Sequence, residues 1–125
     1  MDRIRTAVIG TGFMGRVHLE ALRRVENVDV VDIAATSQDK ARAASAGYNV
    51  LNATGNWHDV INDPSIDAVH VTTPNVSHFP IVKAALEAGK HVLCEKPLAM
   101  SVEEAQILTD LAPASRMRRI CCTIG

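Results

Sequence analysis

Three glycines at the spacing Gly10-Thr11-Gly12-Phe13-Met14-Gly15 stand between an apolar run and an amphipathic one. Glycine adopts backbone angles closed to other residues and keeps no side chain in the way of an approaching group. In a turn of this spacing Gly10 makes the bend, Gly12 lets the backbone approach a pyrophosphate, and Gly15 lets the following helix lie close to the preceding strand. The helix start at Phe13 and Met14 adds unpaired N–H groups and a partial positive charge. The spacing points to a dinucleotide, provided a strand precedes the turn and a helix follows it. The alternative is a glycine-rich turn that holds nothing.

The ribose end of a dinucleotide is read about twenty residues further on, where a carboxylate accepts from the 2′-hydroxyl. Asp32 stands at that count. Ile33, Ala34 and Ala35 prolong the apolar run beyond it, which puts Asp32 inside a strand and Thr36 and Ser37 at its end. Lys40 and Arg42 follow closely. Small hydroxyls beside cations suit a 2′-phosphate better than a 2′-hydroxyl, so the pattern favours NADP over NAD. Asp32 as a packed strand residue leaves both cofactors open.

The elements that must position these residues alternate along the chain. Residues 4–9 read as a strand and 13–26 as a helix, with Met14, Val17, Ala21, Leu22 and Val25 on its core-facing stripe. A second strand covers 28–35, and an alanine-rich helix covers 38–46, stopped by Gly47. Residues 49–51 suit a brief third strand. Asn56 can cap a helical turn from Trp57 that ends at Asp63-Pro64. Residues 67–72 form a fourth strand, and 77–88 a helix with Pro80 in its tolerant first turn. Residues 91–95 are a fifth strand, and Ser101 with Glu104 has capping-box spacing for a helix to about Ala112. Residues 119–124 suit a sixth strand. Such alternation predicts one α/β domain over residues 1–125, a doubly wound Rossmann-type parallel sheet of about six strands. The strands are almost continuously aliphatic, as burial on both faces requires.

Composition excludes several classes. With 47% hydrophobic and 22% charged residues the chain is globular rather than disordered. Thirteen basic residues against fourteen acidic ones exert no strong pull on nucleic acid or a membrane surface. No apolar run approaches bilayer length, and glycines break the start too early for a secretory leader. The three cysteines form no CxxC pair, which argues against a zinc site or a disulfide framework and for a reducing cytoplasm. His58 and His91 lack partners at metal-ligand spacing, so no metal is expected. His70 reads as a packed neutral histidine in a strand, His18 as a residue at the edge of the first helix, and Cys94 as a buried thiol. Trp57 reads as packing its short helix on the sheet.

Two further segments narrow the chemistry: Thr72-Thr73-Pro74-Asn75-Val76-Ser77-His78 after the fourth strand, and Cys94-Glu95-Lys96-Pro97 after the fifth. With the glycine turn they closely resemble the N-terminal half of the Gfo/Idh/MocA oxidoreductases, from about Ile4 to Leu111. The resemblance implies a Rossmann domain carrying NAD(P), used to transfer hydride to or from a sugar, cyclitol or related polyol. By position, Gly10, Gly12, Phe13, Met14 and Gly15 match the pyrophosphate turn. Thr73, Pro74 and Asn75 match the loop that lines the cofactor, and His78 ends that motif. Glu95, Lys96 and Pro97 match the family signature, whose lysine contacts the reacting hydroxyl and whose proline turn sits near the nicotinamide. Lys96 is thus the catalytic candidate; with Thr36 and Ser37 at the ribose, these residues make up the expected site. In open parallel sheets ligands sit beyond the carboxyl ends of the strands, and all three motifs lie at such ends. A lysine there can polarise a hydroxyl or carbonyl; otherwise it is a solvated loop residue.

The resemblance also implies a second α/β domain that supplies most of the substrate pocket, with an Asp and a His that partner the lysine. The 125 residues contain no counterpart. Dinucleotide binding with negligible turnover is therefore expected, together with self-association through the face that a second domain would cover. Residues 114–125 are atypical: Arg116, Arg118 and Arg119 precede Cys121-Cys122. They read either as a sixth strand cut short or as out-of-frame residues. Three functional readings follow: the cofactor domain of an NAD(P)-dependent oxidoreductase, a stand-alone dinucleotide-binding module, and an inactive truncated remnant.

Overall fold

The computed structural model describes residues 3–112 and 120–122. Six parallel strands form one sheet: β1 (Ile4–Ile9), β2 (Val28–Ala34), β3 (Asn52–Thr54), β4 (Ala68–Val71), β5 (His91–Cys94) and β6 (Ile120–Cys122). Their order is β3-β2-β1-β4-β5-β6, so the chain winds outward from β1 first one way and then the other. Five helices cover the faces: α1 (Phe13–Leu22), α2 (Gln38–Tyr48), α3 (Trp57–Ile61), α4 (His78–Glu87) and α5 (Val102–Leu111).

Side chains alternate across each strand and so feed two cores. Ala7, Ile9, Val69, Val71, Val92 and Cys94 point toward α3, α4 and α5, where they meet Val60, Ile81, Leu86 and Leu108. Val8 and Ile33 point the other way and pack with Leu19 and Leu22 of α1. β2 breaks the alternation once. Thr6 pairs with Val30 and Ala7 with Asp32, so Val31 is an extra residue in a bulge. Val30 and Ile33 therefore share one core, and Val31 and Ala34 the other.

Four sequence expectations need correction. The core-facing side of α1 carries Gly15, His18, Leu19 and Leu22, and the helix ends there. Met14, Val17, Ala21 and Val25 are exposed, because the contact of Gly15 with the glycine turn sets which side of the helix meets the sheet. Second, α2 runs through Gly47, because Tyr48 packs on the smaller core; Asn49 then takes the left-handed cap at φ 57°. Third, β3 lies at 52–54 rather than 49–51, with Leu51 left in solvent. Fourth, His18 is a buried residue, not one at the helix edge. The other caps behave as read. Asn56 Oδ1 accepts from the His58 N–H at 3.0 Å, and Ser101 Oγ accepts from the Glu104 N–H at 3.1 Å. The remainder of the segment 114–125, outside β6, lies beyond the described residues.

Candidate functional site

At the carboxyl end of β1 the chain turns into α1 through the three glycines. Gly10 has φ +113°, and a Cβ on it would sit 2.7 Å from Thr72 Oγ1. A Cβ on Gly15 would run into the Gly10 carbonyl oxygen, so the helix rests directly on the turn. Thr72 fixes this arrangement from β4's end: its hydroxyl lies 3.1 Å from the Ile9 carbonyl and 3.0 Å from that of Gly10, and donates to them. Gly12 differs from both, since nothing lies within 4 Å of where its Cβ would be. It is also the N-cap of α1, with no side-chain cap and no acidic residue in the first turn. The positive end of the helix therefore faces open space.

That space is a cleft of about 1280 Å³ along the carboxyl edge of the sheet. Gly10, Gly12, Phe13 and Met14 line it on one side, and Thr36, Thr73 and Pro74 elsewhere. Thr73 Oγ1 is buried without a hydrogen-bond partner, a donor and acceptor that a ligand in the cleft would satisfy. The open cap, the empty position at Gly12 and this hydroxyl fit a dinucleotide. The ribose-end residues divide. Thr36 lines the cleft and accepts from Lys40 Nζ at 3.4 Å, whereas Ser37 Oγ caps α2 by accepting from the Lys40 N–H. Asp32 stays inside β2, where burial and the nearby Asp63 and Asp59 push its carboxyl above the usual range despite a backbone hydrogen bond from Ile33.

The remaining expected residues surround the cleft rather than line it. Asn75 opens a 3-10 turn (Asn75–Ser77) and is exposed. His78, 1% exposed, joins two loops: Nδ1 is 2.6 Å from the Pro97 carbonyl oxygen and Nε2 is 2.8 Å from that of Thr73. Lys96 is exposed just beyond β5, and the Lys96–Pro97 peptide bond is cis. Glu95 turns back toward α1, its Oε1 lying 2.8 Å from His18 Nε2. His18 Nδ1 in turn lies 2.8 Å from His70 Nδ1. Burial, helped by His18, pushes the His70 imidazole from 6.5 down to about 4, so it stays neutral in the fold.

Sequence reasoning missed three parts of this arrangement. Thr72 was read only as a strand end, and His18 as peripheral. Trp57 packs on the larger core as expected, but it also lines the cleft and stacks on His58 at 3.7 Å between ring centroids. Among the described residues no group of three or more His, Cys, Asp or Glu is placed to hold a metal ion, and no helix is long and apolar enough to cross a membrane.

Known proteins share this fold. Residues 4–120 match the Gfo/Idh/MocA family, described as an oxidoreductase family with an NAD-binding Rossmann fold. Inositol 2-dehydrogenase 3 of Saccharopolyspora erythraea is 41% identical over 118 residues, covering 94% of this chain and 34% of its own. Levoglucosan dehydrogenase in complex with NADH and L-sorbose superposes with a TM-score of 0.90 at 32% identity, over 95% of this chain and 34% of that one. Biliverdin reductase from Synechocystis, in complex with biliverdin and NADP+, gives 0.88 at 30% identity, over 95% of this chain and 37% of that one. The chain spans about a third of the length of the curated relatives it matches. With the glycine turn, the Thr73 loop and the Glu95 turn gathered on one sheet edge, the chain belongs to the Gfo/Idh/MocA oxidoreductase family, as its NAD(P)-binding Rossmann domain.

Proposed function

We propose that this domain, residues 1–125, holds NAD(P) across the carboxyl edge of its sheet for hydride transfer to or from a sugar, cyclitol or related polyol. The observation that carries the reading is the uncapped start of α1 facing the open cleft beside Gly12. The bound nicotinamide supplies or accepts the hydride. Gly12, Phe13 and Met14 offer the pyrophosphate backbone N–H groups, while Gly10, whose own N–H bonds the Ala34 carbonyl, makes the bend, and Gly15 seats the helix on it. Thr73 and Pro74 form the opposite wall with Asn75 at its rim, and His78 braces that wall from between the Thr73 and Pro97 carbonyls. Glu95 and Pro97 hold the turn on which Lys96 meets the reacting hydroxyl and steadies the charge that develops on its oxygen. The substrate class is supported by relatives named as inositol and levoglucosan dehydrogenases. Turnover needs groups from outside these residues, because Lys96 must be matched by a substrate pocket and proton partners.

We assign NADP a modest preference over NAD. Thr36 at the cleft, with the Lys40 ammonium on its hydroxyl, suits a 2′-phosphate, and Ser37 contributes through the helix it caps. The reducing cytoplasm is the proposed location. Phe13 at the start of α1, Val76 in the 3-10 turn and Met100 ahead of α5 leave apolar side chains in solvent, each beyond a strand's carboxyl end. They support a proposed packing or self-association face on this edge.

The test is a titration of the chain with NADPH and NADH, followed by the fluorescence of Trp57, its single tryptophan. Both should saturate, NADPH the tighter by about threefold. Lys40→Ala should weaken NADPH alone, and Gly12→Val should abolish both while leaving the fold intact. A folded chain that binds neither nucleotide would overturn the reading. NADH as the tighter ligand, with Lys40→Ala neutral, would overturn the preference.

A further inference from the structure

The fold holds a largely buried polar chain beside the cofactor site. It runs from Glu95 through His18 to His70, with both links at 2.8 Å. The side chains of His18 and Glu95 are only 9% and 13% exposed. Two ring nitrogens at that separation share one proton. With Glu95 ionised, His18 Nε2 is a donor, and its Nδ1 either gives a proton to His70 or receives one from it. The His18 and His70 rings meet edge to face at 87°, so the second histidine fixes the first in orientation.

The position of His18 gives this chain its purpose. It lies one helical turn after Gly15, on the same buried face of α1. Gly15 seats α1 on the glycine turn, and three residues later His18 fastens the same helix to Glu95. On its far side the Glu95-Lys96-Pro97 turn is fastened again, by His78 on the Pro97 carbonyl. The turn bearing Lys96 thus stands between two histidines, one leading to the pyrophosphate turn and one to the Thr73 loop.

We propose that His18 is a positioning residue: through Glu95 it sets the distance between the glycine turn and the Lys96 turn, and so couples the grip on the pyrophosphate to the grip on the nicotinamide. This rests on the reading above that the Glu95-Lys96-Pro97 turn faces the nicotinamide. His18 touches neither cofactor nor substrate, and His70 acts as its neutral anchor.

The test compares NADH with ADP-ribose, which lacks the nicotinamide, on the whole chain. His18→Leu should weaken NADH about tenfold, the size expected for one charge-assisted bond, and leave ADP-ribose within about twofold. His18→Gln, which keeps a donor near Glu95, should recover most of the loss. Glu95→Gln added to His18→Leu should cost nothing further, because the two act as one unit. If His18→Leu does not fold, Glu95→Gln alone, with the histidine still packed, should separate the two ligands in the same way. Equal weakening of NADH and ADP-ribose would reduce His18 to a structural role and overturn the inference. So would failure of His18→Gln to recover. Wild-type chain that binds neither ligand would overturn the cofactor reading and this inference with it, whereas binding of both without the split overturns this inference alone.

Discussion

The two edges of the sheet are built from the same kinds of connection and finished in opposite ways. At the amino edge the loops close on one another. Lys90, 4% exposed, donates to the carbonyls of Asp63 and Ile66 at 2.7 and 2.8 Å. The Arg5 N–H donates to the Asp67 carboxylate at 2.9 Å, and Arg5 Nε to the Ser65 carbonyl at 3.1 Å. A hollow of about 260 Å³ lies there, beside Lys90 and Ile66. At the carboxyl edge the helix start is uncapped, Thr73 Oγ1 has no partner, and the space is about five times larger. An edge whose polar groups satisfy each other contributes stability; an edge that leaves some unsatisfied contributes binding.

Changes at the two edges should separate stability from binding. The largest effect is expected at Gly15→Ala, where the new methyl meets the Gly10 carbonyl: a loss of about 4 kcal/mol in urea unfolding, with nucleotide binding gone. Gly89→Ala, at φ +82° but in open space on the amino edge, should cost about 1 kcal/mol and leave binding untouched. Equal outcomes at the two glycines would break the contrast. Next is acid. His70 stays neutral in the fold to about pH 4, while in the unfolded chain it gains its proton near 6.5. Acid therefore favours unfolding, and stability contributed above pH 6.5 is lost as the pH falls toward 4, on the order of 3 kcal/mol. His70→Asn should remove that part of the acid limb in a pH series of melts.

Lys90→Met should cost about 2 kcal/mol, because two buried carbonyls lose their donor, with nucleotide affinity unchanged. Weakened NADPH binding by this variant would blur the division between the edges. The smallest effect belongs to Thr73→Val. The chain should be as stable as before or slightly more so, since an unpartnered hydroxyl is removed. Nucleotide affinity should fall about tenfold in the tryptophan titration.

The winding of the sheet was legible because its central strands are aliphatic runs broken by glycine, proline and capping residues. Where that signal thins, the reading slipped. β3 has the sequence Asn52-Ala53-Thr54 at the sheet margin, with little apolar side chain to betray it, while the neighbouring Val50 and Leu51 imitate a strand. Gly47 resembled a helix stop, yet Tyr48 had a core to reach. In α1 the stripe of Met14, Val17 and Val25 had helical spacing, but the side that meets the sheet is dictated by Gly15's contact with the turn. Of the site, the residues on loops were visible as motifs. The bracing by Thr72, His18 and His78 was not, since it joins residues 62, 77 and 19 positions apart in sequence. Such pairings exist only once the strands are in order.

The bulge at Val31 carries a consequence for how this domain can change its nucleotide. Deleting that one residue would leave Thr6 opposite Val30 and Ala7 opposite Asp32, so β2 would alternate strictly with Ile33 and Ala34 on their present faces. Ile33 would keep its partner Val8 and its core, and the corner bearing Thr36 would keep its place, so the bulge makes the chain's length here independent of its packing. Divergent copies can therefore exchange side chains at 36, 37 and 40, the proposed ribose end, and can lose the residue at 31 without moving it.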